Sequence, residues 1–126
     1  MSVLEQIRAR AAADSPLWAA ALLPGDLPAA EYQGRCPDSH LPGVEMIREG
    51  YLLHGGRSRL FAQDDRDLAL LTGDYLYAAG LVEICATGDL AAVTALAELI
   101  SACAGDRGEG LGDDEDRWAA ALAAFA

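Results

Sequence analysis

Apolar side chains recur along this chain at alternating steps of three and four residues, the spacing of one helix face. Val3, Leu4 and Ile7 lie on one side of a first segment, and Ser2 with Glu5 three residues later forms a capping box at its start. That helix is predicted to end near Asp14. Ser15 before Pro16 starts a second, because proline lacks only an amide that the first helical position leaves unused. Leu17, Trp18, Leu22 and Leu23 give it an apolar face, and Pro24-Gly25 stops it. Prolines and glycines then interrupt every period, so residues 24–43 are predicted to be a long loop lying over another surface or a partner. A third helix is predicted over about 44–53, before Gly55-Gly56.

Residues 64–89 carry two stripes, Leu68, Leu71, Tyr75, Ala78, Val82 and Cys85 on one side and Leu70, Gly73, Tyr77, Gly80 and Ile84 on another. Two packed stripes predict a central helix touched on two sides. Gly73 and Gly80 lie seven apart, where absent side chains let a neighbouring backbone approach closely. After Gly88, Asp89 caps a further helix carrying Val93, Leu96, Ile100 and Cys103, so helices over about 65–87 and 90–104 form an αα-hairpin. Gly105, Gly108, Gly110 and Gly112 read as a flexible link. The acidic run Asp113 to Asp116 compensates the dipole of a last helix bearing Trp118, Leu122 and Phe125. The expected fold is an all-α single domain over 1–126, a bundle of about five to six helices.

Composition narrows the partners. The hydrophobic share is 52% with 6% aromatic, rich in alanine and leucine, which favours helix over sheet. All nine basic residues are arginines, and twenty acids leave a formal charge of -11, which disfavours nucleic acid and anionic membranes. Glu5, Arg8 and Arg10 stand where a secretory signal would be apolar, and no segment reads as a membrane span. A cytoplasmic location is expected, with Cys36, Cys85 and Cys103 reduced and the last two buried in helices.

Candidate chemistry is sparse. Cys36 and His40 stand four apart, but too few ligands accompany them for zinc, and nothing in the sequence orients the histidine for nucleophilic work. Asp64, Asp65 and Asp67 suit a helix N-terminus. Asp74, in the middle of a packed helix, needs an arginine or a polar seam and marks either a structural ion pair or a binding site.

Residues 68–106, about a third of the chain, resemble the trans-prenyl diphosphate synthases. The match lies in Gly73-Asp74-Tyr75-Leu76, the long helix, and the Gly88-Asp89 turn before another helix. Residues 113–126 are similar to the family's helix ending in Lys-Thr-Ala, with Trp118 for its tyrosine and no lysine. The resemblance implies part of the isoprenoid synthase fold and dimerisation through the corresponding helices. It also implies an aspartate-rich motif and an Arg-Arg-Gly element that bind a magnesium-bridged diphosphate. With Gly56 as that glycine, the arginine pair falls on His54 and Gly55, and the acidic motif falls on residues 45–49. Glu45 and Glu49, one turn apart, keep a weak Mg2+ site. Met46 replaces one carboxylate, Arg48 stands between the others, and the second acidic motif has no counterpart.

The expected function is therefore that of a non-catalytic polyprenyl-synthase-like protein, a partner or regulatory subunit or a binder of an apolar, isoprenoid-like ligand. It would lack catalytic residues, with Arg57, Arg59 and Asp74 touching ligand and Gly73, Tyr77, Gly80 and Ile84 forming the interface of a homodimer or a pairing with a related helical subunit. An unrelated cytoplasmic helical interaction module is one alternative. A prenyl diphosphate-processing enzyme with a degenerate Glu45/Glu49 magnesium site is the other.

Overall fold

The computed structural model describes residues 1–108 and 114–124. They form an all-α bundle: α1 (Val3–Asp14), α2 (Pro16–Ala21), α3 (Leu41–His54), α4 (Arg66–Ala86), α5 (Leu90–Gly108) and α6 (Glu115–Ala123). The starts follow local chemistry. Both halves of the Ser2/Glu5 capping box are made, Ser15 caps α2 ahead of Pro16, and the Asp65 side chain accepts the Leu68 amide. Gly88, at φ 80°, supplies the left-handed residue of the α4–α5 turn.

α3 starts earlier than expected. Pro42 and Gly43 belong to its first turn, where a missing amide costs no helical hydrogen bond, so the irregular segment ends at His40. Nor does α5 stop at residue 104: it runs through Gly105 to Gly108, while Gly110, Gly112, Asp113 and Phe125 lie outside the described residues.

The central helix is α3 rather than α4. Twelve of its residues are buried, on every side, whereas α4 keeps one exposed face. Two apolar clusters flank it. One gathers Leu4 and Ile7 of α1, Trp18 of α2, Leu60, Phe61 and Leu76 against Met46 and Leu53. The other gathers Leu96, Leu99 and Cys103 of α5 and Trp118 of α6 against Val44, Ile47 and Tyr51. Trp18 stacks on Tyr75 at 5.1 Å, and the Tyr75 hydroxyl donates to Asp14 at 2.6 Å, fixing α1 and α2 to α4. Leu23 N–H to Leu60 O and Ala62 N–H to Ala21 O, both 2.8 Å, tie the end of α2 to the connection between α3 and α4.

α3 and α4 are antiparallel neighbours whose backbones touch. A Cβ on Gly50 would stand 2.8 Å from the Gly73 carbonyl oxygen, and one on Gly80 would stand 2.8 Å from that of Gly43. Gly43 faces Gly80 and Gly50 faces Gly73, with the same seven-residue interval on both helices. This corrects the expected interface: Gly73, Gly80 and Ile84 are buried by α3 of the same chain, and Tyr77 is half-buried edge-on to His54. Of the other stripe, Leu71, Ala78, Val82 and Cys85 are exposed, so Cys85 is not the core thiol expected, while Cys36 and Cys103 are buried.

α4 is also long and apolar enough, by length and composition, to cross a membrane, contrary to the sequence expectation. Here it is a packed helix carrying Asp74 and Glu83, the latter paired with Arg10.

Overpacking the glycine contact should be costly. Gly50→Ala is expected to lower stability by about 1–3 kcal/mol, since its Cβ meets backbone that cannot rotate away. Gly105→Ala, in a helix with open space around it, should instead stabilise by about 0.5–1 kcal/mol. Urea titration of the two variants checks both signs.

Candidate functional site

A helix buried on all sides that carries Glu45, Arg48 and Glu49 must find partners for them inside the protein. Glu45 and Glu49 are both 0% exposed. The Arg59 guanidinium lies between them, donating to Glu45 Oε1 at 2.7 Å and to Glu49 Oε1 at 2.9 Å, and to the Glu45 carbonyl at 3.3 Å. Remaining carboxylate capacity is taken by backbone. The Glu31 and Tyr32 amides donate to Glu45 at 3.1 and 3.0 Å, the Arg59 and Leu60 amides donate to Glu49, and the Ser58 hydroxyl donates to Glu49 as well. Four oxygens already satisfied in this way offer a cation nothing without breaking the core, so the expected Glu45/Glu49 magnesium site is corrected to a structural ion triad.

Arg48, 3% exposed, forms a second centre on the neighbouring face. It holds Glu31 through two bonds of 2.8 and 3.0 Å and Glu115 through one of 2.8 Å. Its guanidinium carbon stands 4.9 Å from the Trp118 ring centre, 5.1 Å from that of Tyr51 and 5.7 Å from that of Tyr32, and Tyr32 stacks on Trp118. Burial lowers the Arg48 pKa, but the bonds to Glu31 and Glu115 outweigh it and the net shift is upward, so the charge is permanent. The Tyr51 hydroxyl donates to Asp114 at 3.0 Å. Asp114 and Glu115 therefore do more than compensate a helix dipole: they fasten α6 to α3. Arg48 Nη1 and Trp118 Nε1 are buried without a hydrogen-bond partner among the described residues.

The other sequence candidates disperse. Arg59 belongs to the triad and is not available to a ligand. Arg57 is exposed, with its guanidinium 5.6 Å from the Tyr51 ring centre. Asp74 is exposed and pairs with His54 Nε2 at 3.1 Å, and that nitrogen also lies 3.2 Å from the Leu70 carbonyl. The seam expected for Asp74 is thus a histidine at the end of α3. With Arg59 taken by the two buried carboxylates and Arg57 and Asp74 exposed, the three do not make the expected common ligand site.

Cys36 and His40 part company too. Burial, then the nearby Glu45 and Asp38, push the Cys36 thiol up to about 11, so it stays protonated at neutral pH. His40 turns to Ser39, whose Oγ is 2.9 Å from Nδ1, and to Asp89, whose Oδ2 is 2.9 Å from Nε2. Asp89 also accepts the Ala92 amide at 3.0 Å, as an α5 cap should. Its pKa is lowered, first by the His40 hydrogen bond and then by that amide. Sequence reasoning saw Asp89 only as a cap, because 49 residues separate it from His40 and no periodicity links them.

Between α5 and α6 an open groove of about 360 Å3 is lined mostly by small side chains, among them Ala95, Ala102, Ala120, Ala121 and Ala124. Arg117 at its edge pairs with Asp106.

The chain matches no known protein family, no curated protein and no solved structure.

Arg59→Leu should cost about 3–5 kcal/mol, because it leaves two buried carboxylates without their cation. Glu45→Gln/Glu49→Gln/Arg59→Leu should lose less than Arg59→Leu alone, since no net charge stays buried. Equal losses in urea titrations would show that Arg59 acts by packing and not by charge.

Proposed function

We propose that this protein takes no part in prenyl transfer and is the helical partner of a second helical chain, a related subunit or another copy of itself, docking through the outer face of α4. The observation that carries the reading is the strip Leu71, Ala78, Val82 and Cys85, exposed along most of α4, with Leu71 at 53% and Val82 at 60%. Apolar side chains held in line on a well-packed helix, and left in water, suit a partner helix with the same spacing. The Gly-Asp resemblance to trans-prenyl diphosphate synthases agrees, since those enzymes dimerise through the corresponding hairpin. With the Glu45/Glu49 pair held by Arg59, prenyl transfer is not part of this reading.

Light scattering at high protein concentration should give a mass above the monomer, and Leu71→Glu/Val82→Glu should return it to monomer with the melting temperature of the parent diluted to monomer. Association should strengthen with salt, because two chains of charge -11 repel. A parent that stays monomeric alone, and gains no stability from any related helical subunit, would sink the proposal.

A second reading, an apolar-chain binder, rests on the alanine-lined groove between α5 and α6. Farnesol should then raise the melting temperature of the parent and not of Ala102→Phe, which fills the groove. Prenyl diphosphate with magnesium should add nothing beyond the apolar chain alone. A magnesium-dependent rise would revive the enzyme alternative.

A further inference from the structure

Ser39, His40 and Asp89 form a hydrogen-bonded relay away from both ion-pair centres, where the long loop enters α3 and meets the α4–α5 turn. Ser39 Oγ is 2.9 Å from His40 Nδ1, and His40 Nε2 is 2.9 Å from Asp89 Oδ2. The polarity of this chain follows from the carboxylate. An ionised Asp89 can only accept, so in the neutral imidazole the proton sits on Nε2, and Nδ1 is left to accept the Ser39 hydroxyl proton. Burial of His40, at 6% exposure, fixes the ring between Ser39 and Asp89, while Ser39 is exposed to reactants. A purely mechanical tie between loop and turn would need only the His40–Asp89 bond. Ser39 has no evident structural duty in addition, because the N-cap position of α3 is His40.

We infer that Ser39 is an activated nucleophile that accepts acyl groups from small activated esters, with His40 as its base and Asp89 as the residue that positions His40. Oγ bonds to the carbonyl carbon as its proton passes to Nδ1. The ester C–O bond breaks with its electron pair on the leaving oxygen, which takes that proton from Nδ1. Water deprotonated by the same nitrogen then attacks the acyl-serine, releasing the acid and restoring the hydroxyl. The inference does not depend on docking through α4.

The test uses the whole chain with a fluorophosphonate probe, peptide mass spectrometry to locate the label, and 4-nitrophenyl acetate to follow turnover. The label should fall on Ser39 and vanish in Ser39→Ala. His40→Ala should slow labelling about a hundredfold or more, the low end for general-base catalysis, and added imidazole should restore part of it. Asp89→Asn should also slow it, with Asp89→Glu retaining part of the rate. Should His40→Ala fail to fold, the Ser39 and Asp89 variants decide. A label on another residue, a Ser39→Ala variant that reacts like the parent, or an unchanged rate in Asp89→Asn would overturn the inference.

Discussion

The contact between the backbones of α3 and α4 at Gly43–Gly80 and Gly50–Gly73 sets the terms for the rest of the structure. Glycine inside a helix costs about 1 kcal/mol relative to alanine, and four are placed in register here. What they allow is an approach closer than side chains permit, which turns one whole face of α3 into helix-to-helix contact. With α1 and α2 on one flank and α5, α6 and the long loop on the other, α3 has no face left for water. Its Glu45, Arg48 and Glu49 are thereby committed to the interior, and each must be matched by a group from elsewhere in the chain.

Those matches determine where the irregular parts go. Glu31 and the Tyr32 amide lay the loop on α3, Ser58 and Arg59 fold the α3–α4 connection back on it, and Glu115 with Asp114 bring in α6. Buried ion pairs return little net stability, since desolvation offsets most of the attraction. Their effect is discrimination: a loop or helix arriving in another register would leave a charge unpaired. Arginine is suited to this and lysine is not. The Arg59 fork serves two carboxylates and a carbonyl at once, and Arg48 serves two carboxylates while its flat face lies near three aromatic rings. A chain without lysine fits a core organised in this way.

Much of the fold was legible because caps and periodicity are local. The capping box, the Ser15-Pro16 start, the 65–87 and 90–104 hairpin and the all-α class follow from residues a few positions apart. Beyond the boundaries of α3 and α5, the corrections concern partners. The Gly73, Gly80 and Ile84 stripe announces a buried face without saying what buries it, and α3 of the same chain fits as well as a second subunit. Gly43 and Gly50, at the same interval, were the available signal, but Gly43 reads as loop beside Pro42. Glu45 and Glu49 are spaced like a pair of metal ligands and equally like two anchors for one arginine, and Arg59 sits ten residues beyond Glu49 in what reads as an exposed turn. Asp114 and Glu115 suit a helix start whether or not Tyr51 and Arg48 await them.

The two faces of α4 differ in what they leave available to a partner. Its inner face is closed by α3 through contacts that tolerate no added methyl group, so a partner reaching for the Gly73–Gly80 stripe would have to displace the central helix and expose three charged groups with it. Association through α4 that is compatible with this fold would use the outer strip, where Leu71, Ala78, Val82 and Cys85 leave room for ordinary side-chain packing at a conventional helix distance. A dimer built on this hairpin would therefore present Leu71 and Val82 rather than Gly73 and Gly80. The glycines that look most like an interface in the sequence are what free the opposite face to be one.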